Sequence, residues 1–128
     1  MTRYPLERVG NLLVTKAAVS GPAGVKVARL LVDTGSVYTI LPVEVLESVG
    51  CSPAASTEHV RLITGSGYLI APRVQVLWLQ CLGRKGNDMR VVAHTLPFGI
   101  LVDGLLGMDF LRPLNVRLLL TEGIIELS

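Results

Sequence analysis

Asp33 closes the apolar run Leu30-Leu31-Val32 and is followed at once by Thr34, Gly35 and Ser36. A carboxylate at the end of a strand headed into a core needs a reason. Gly35 permits a sharp turn directly after the acid. Backbone N–H groups freed at such a turn can point at the carboxylate and hold it ionised. Thr34 and Ser36 add two hydroxyls. The segment is therefore read as presenting a positioned, hydrogen-bonded acid of the kind that general acid–base chemistry requires. The same residues also fit an ordinary Asx-turn.

Other chemistries lack their residues. The phosphorylated aspartate of cation-pumping ATPases carries a Lys between Asp and Thr, which is missing here. No Gly-x-Ser-x-Gly nucleophile elbow occurs. Cys51 and Cys81 have no CxxC spacing, and His59 and His94 are not spaced as zinc ligands with either of them. The two cysteines are expected to be reduced, partly buried thiols.

About seventy residues after Asp33 lies a second signature, VDGLLGMDFL, over Val102–Leu111. An apolar run ends in glycine and leads into one short turn of helix. Around these two segments the chain reads as short strands. GNLLVTKAAVS and VKVARLLV form a hairpin about the turn GPAG. LPVEVLESVG is the best helix, with Pro42 at its first position, Gly50 as its stop, and Leu41, Val45, Leu46 and Val49 on one face. EHVRLIT, the turn GSG and YLIAPRVQVLWLQCL form a second hairpin, in which Pro72 marks a kink or an edge. GRKGND is read as a polar turn, MRVVAHTL as a strand, and NVRLLL–TEG–IIELS as a closing hairpin. Asp109 is read as capping the short helix. The sum is eight to ten strands with one or two short helices, an all-β barrel or sandwich in a single domain over 1–128.

LLVDTGSVYTILP, LITGSG and LLGMDFL, in that order and spacing, resemble the retropepsin-like family of single-lobe aspartic proteases. The helix over 42–49 makes the chain more similar to cellular and bacterial members than to the smallest retroviral ones. The resemblance implies the acid-protease β-barrel. It implies Asp33 as the catalytic acid, with Thr34, Gly35 and Ser36 as the active-site loop. Thr34 takes the place of the residue whose hydroxyl bonds across a two-fold axis. Ser36 either bonds the outer carboxylate oxygen or only steadies the turn. Gly65, Ser66 and Gly67 fall where the family carries its substrate-binding flap. Gly107 matches the packing glycine beneath the loop.

Only one such acid motif is present, and Asp103-Gly104 lacks the hydroxyl residue. The second carboxylate is then Asp33 of another copy in a homodimer, because residues on a two-fold axis meet themselves. That reading implies an aspartic endopeptidase acting on peptide or protein, with no metal and no organic cofactor. The alternative is a catalytically silent module for dimerisation or peptide binding. A small-ligand β-barrel would leave LLGMDFL without a purpose.

Composition sets the remaining bounds. Half of the 128 residues are apolar, 17% are charged and the net charge is +2, which disfavours disorder. The basic residues form no stripe with interleaved aromatics, so nucleic acid is not an expected partner. No apolar run is long enough to span a membrane as a helix, and the N-terminal segment lacks a secretory apolar stretch. The expected location is the cytoplasm.

Overall fold

The computed structural model describes residues 1–97 and 101–128, and in these the chain forms thirteen strands and two short α-helices. The predicted first hairpin is present. Strands β3 (Leu12–Gly21) and β4 (Gly24–Val32) pair antiparallel along their length, from Val14↔Leu31 to Gly21↔Gly24. Two strands near the N-terminus, β1 (Thr2–Pro5) and β2 (Glu7–Val9), stand where no element was expected; β2 pairs with β3.

The segment after Asp33 returns as the two-residue strand β5 (Ile40–Leu41), which leads into α1 (Val43–Ser48). Pro42 sits one position before the helix, in extended geometry, rather than at its first turn. Gly50 stops the helix with φ at +85°, a value that favours glycine. Next come β6 (Glu58–Thr64) and β7 (Gly67–Gln75), paired from Glu58↔Arg73 to Thr64↔Gly67 about Gly65 and Ser66. Pro72 falls just before the point where β10 (Arg90–Ala93) joins the other side of β7 at Arg73↔Val92. Its missing N–H therefore costs the β10 ladder nothing.

The expected polar turn over 83–88 is in part a strand. β8 (Trp78–Cys81) turns through Leu82 and Gly83, both at positive φ, into β9 (Arg84–Asn87). β9 lies at a sheet edge, where charged residues are tolerated and discourage further pairing. Of the apolar segment FGILVDGLLG, residues 98–100 lie outside the described residues. Its end forms β11 (Gly104–Leu106), followed by α2 (Met108–Leu111).

The larger sheet runs β6-β7-β10-β5-β11-β4-β3-β8-β9 and curls around the main core, which bears out the β-barrel expectation. At its centre β11 lies between β4, to which it is parallel, and β5, to which it is antiparallel. Successive residues face opposite sides of these central strands. Leu41, Val91 and Leu106 enter the main core, while Ile40, Val92 and Leu105 join a smaller cluster with Leu62, Leu69 and Ala71. Burial on both faces explains why these strands read as unbroken apolar runs. Both cysteines are buried free thiols, and burial pushes that of Cys81 up to about 12, so it stays protonated and unreactive.

The chain ends in a smaller sheet of β12 (Arg117–Leu119), β13 (Ile124–Leu127) and β1, with β13 in the middle. Ile125 and Leu127 face the core, and Glu126 points the other way between Arg3 and Arg117. Its side chain is only 5% exposed, with a carboxylate oxygen 2.5 Å from Arg3 Nε and the other 3.5 Å from Arg117. The Arg3 hydrogen bond, aided by the charges of Arg3 and Arg117, holds the Glu126 carboxyl below its ordinary value of 4.5. A depressed acid stabilises the fold fully above its unfolded value and loses that contribution as pH falls through the folded value. Glu126→Gln is accordingly expected to lower the denaturant midpoint at neutral pH. The gap to wild type should close as unfolding is repeated at successively lower pH below 4.5.

Candidate active site

Strand β4 delivers Asp33 to the centre of the sheet, and the Asp33 N–H donates to the Leu106 carbonyl at 3.0 Å. The turn expected from the sequence is present. The Gly35 N–H donates to Asp33 Oδ1 at 2.9 Å, and the Ser36 N–H donates to the Asp33 carbonyl at 3.2 Å. The acid is half-buried, while Thr34 and Gly35 are exposed. The Ser36 hydroxyl donates to the Tyr38 carbonyl at 2.7 Å, so of its two expected roles the structure shows the turn-steadying one.

Beneath the loop, β11 and α2 supply the support. The Met108 N–H donates to the Ser36 carbonyl at 2.8 Å, and the Asp109 N–H to the Val37 carbonyl at 3.2 Å. Gly107 lies directly under the Ser36 and Tyr38 carbonyls, where a Cβ would overlap the Tyr38 oxygen. Asp109 does not cap α2, as the sequence suggested. Its carboxylate accepts the Thr39 N–H at 2.9 Å and the Thr39 hydroxyl at 2.7 Å, and that hydroxyl accepts the Gly107 N–H at 3.1 Å. One fully buried threonine thus locks the end of the loop to the start of α2.

Thr39 and its link to Asp109 are missed by sequence reasoning, since the two residues are brought together only by the fold. They lie seventy positions apart, and the only signal is a hydroxyl residue just ahead of an apolar strand. Thr39→Val keeps the shape and leaves the buried Gly107 N–H without its acceptor. The expected cost is about 1–3 kcal/mol, read as a lower urea midpoint at unchanged slope.

The one carboxyl of the VDGLLG segment is committed elsewhere. Asp103 accepts the Arg29 N–H at 2.8 Å, which ties β4 to the approach of β11.

Above the acid the β6–β7 hairpin forms a roof with Gly65, Ser66 and Gly67 at its exposed tip. Gly67 has φ at +139°, a conformation side chains rarely adopt. Between roof and loop lies a cavity of about 350 Å³. Asp33, Gly35 and Ser36 line it together with Ile40, Leu62, Thr64, Leu69, His94, Leu96 and Leu105. Among the described residues Asp33 is its sole acid, and Arg61 and His94 are its other charged or titratable groups apart from Tyr38.

Three comparisons bear on this site. The chain's residues 15–110 match the family model described as aspartyl protease. No curated protein matches the sequence. The fold is similar to the crystal structure of a retropepsin-like aspartic protease from Rickettsia conorii. That match has a TM-score of 0.71 and 16% identity, and covers 97% of this chain and 88% of the other. The matched stretch takes in Asp33, the β6–β7 hairpin, Gly107 and Asp109, and the residues that line the cleft: the chain belongs to the aspartyl protease family, with a retropepsin-like fold.

Proposed function

We propose that the protein is a homodimeric aspartic endopeptidase whose active site pairs Asp33 with Asp33 of a second copy. The observation that carries this reading is the solitary acid. Asp33 is held in place by a backbone N–H in an apolar cleft, and among the described residues the cleft supplies no second carboxylate. Asp103 and Asp109 are both bonded into the scaffold. Exposure of Thr34, Gly35 and Val37 beside Asp33 leaves the loop open to a symmetric partner. Thr34 then bonds across the axis, and Gly35 allows the two loops to approach.

Two carboxylates about 3 Å apart do not both ionise, so the pair shares one proton. The ionised member takes a proton from a water between them as that water adds to the scissile carbonyl. The protonated member donates to the carbonyl oxygen. Collapse of the tetrahedral diol breaks the C–N bond, and a carboxyl proton passes to the leaving amine. The peptide lies as an extended strand beneath the flap and over the apolar floor of Ile40 and Leu105, held by main-chain bonds. The test is incubation with a mixed peptide library from acid to neutral pH. Internal cleavage with a bell-shaped pH profile, blocked by a pepstatin-type inhibitor, is expected. An absence of cleavage by a chain that sediments as a dimer favours the silent binding module instead.

A further inference from the structure

Beyond the cleft, the chain presents a larger open pocket of about 490 Å³, between strand β9 and the segment that follows α2. This lies within the size range of small-molecule sites, about 300–1,000 Å³. Its apolar lining comes from Met89, Phe110, Pro113 and Leu114, and its cations are Arg73, Arg84, Lys85 and Arg90. Among the described residues Asp109 is the one acid in the lining, and both of its oxygens are taken by Thr39. Glu58 answers two of the cations, at 3.2 Å from Arg90 and 3.5 Å from Arg73. The Lys85 ammonium sits 4.5 Å from the centroid of the Trp78 ring.

The cations still outnumber the acids. Arg73 Nε is the atom that faces Glu58, at 3.5 Å. Arg84 and Lys85 form no ion pair among the described residues, so two positive charges of the lining have no acid partner.

We infer that this cavity is a binding site for a small amphipathic anion, an acidic head group on a short apolar body. The cations would hold the head group, and Met89, Phe110 and Leu114 would receive the body. Neither half suffices alone. An inorganic anion leaves the apolar lining unfilled, and a neutral chain leaves Arg84 and Lys85 without an acid. The inference does not depend on the protease reading, since no part of it requires Asp33 to be catalytic.

The test uses the full chain labelled with ¹³C at its methionine methyls, titrated with octanoate, with octanol and with inorganic phosphate. Met89 lines the cavity, and Met1 is 79% exposed and serves as the internal control. Octanoate is expected to shift the Met89 methyl saturably and leave Met1 in place. Octanol and phosphate should each bind at least about tenfold more weakly. Arg84→Glu should weaken octanoate about tenfold, as loss of one charge-assisted bond implies. Lys16→Glu, the same charge change at exposed Lys16 on β3, should leave binding unchanged. Arg90→Gln repeats the test if the first variant does not fold. The inference is overturned if Met89 does not respond at millimolar octanoate, if octanol or phosphate binds equally well, or if Lys16→Glu weakens binding as much as Arg84→Glu.

Discussion

Asp33→Asn is expected to lower peptide hydrolysis at least about a thousandfold while leaving the fold and its melting midpoint unchanged. The asparagine amide oxygen can accept the same Gly35 N–H that the carboxylate accepts at 2.9 Å. The size of the side chain is preserved, so the turn and the Leu106 contact have no reason to move. What disappears is the ability to take up a proton. In a two-fold dimer the substitution removes both acids at once, so no carboxylate remains between the two loops. Steady-state cleavage of a fluorogenic peptide, with circular dichroism on the same samples, checks both halves of the expectation. Hydrolysis that survives in folded Asp33→Asn protein would assign the chemistry to another group.

The second large effect is structural. Gly107→Ala places a methyl group where the Tyr38 carbonyl oxygen already sits, with the Ser36 carbonyl close behind. Both are backbone atoms, and both belong to the loop that α2 supports. The carbonyl of Ser36 is bound by the Met108 N–H, and the Gly107 N–H is bound to Thr39. No flexible side chain can swing aside to make room. Relief requires the loop to lift from β11, which breaks these bonds together. The expected loss is about 3 kcal/mol or more, at the upper end of overpacking costs, accompanied by loss of activity in whatever protein remains folded. Gly65→Ala supplies the contrast, because a Cβ there meets nothing within 4 Å. Equal stability of the two alanine variants in urea would show that the loop is not seated as described.

The parts legible in the sequence are those specified locally. The β3–β4 hairpin follows from two apolar runs about GPAG, and α1 from its apolar face between Pro42 and Gly50. The acid turn follows from a carboxylate placed just ahead of glycine. The parts that were not legible depend on contacts distant in sequence or on edge positions. Strands β1 and β2 are short and broken by Pro5 and Gly10. β1 gains its partner from the far end of the chain, β13, whereas β2 turns at Gly10 and Asn11 directly into β3 and is too short, at three residues, to show a pattern. Strand β9 is polar because it is an edge, and polarity read as a turn. Nothing in the periodicity of LLG says that it threads between β4 and β5. The Thr39–Asp109 lock is likewise a tertiary fact, visible only once α2 packs beneath the loop.

The most direct measurement is the activity of wild type mixed with Asp33→Asn at constant total concentration, after subunits have exchanged. A site shared by two copies needs an intact acid from each, so activity should follow the square of the wild-type fraction, about one quarter at an equal mixture. A linear decline to about one half, under conditions where mixed dimers are shown to form, would mean that each chain works alone and would contradict the paired-Asp33 mechanism.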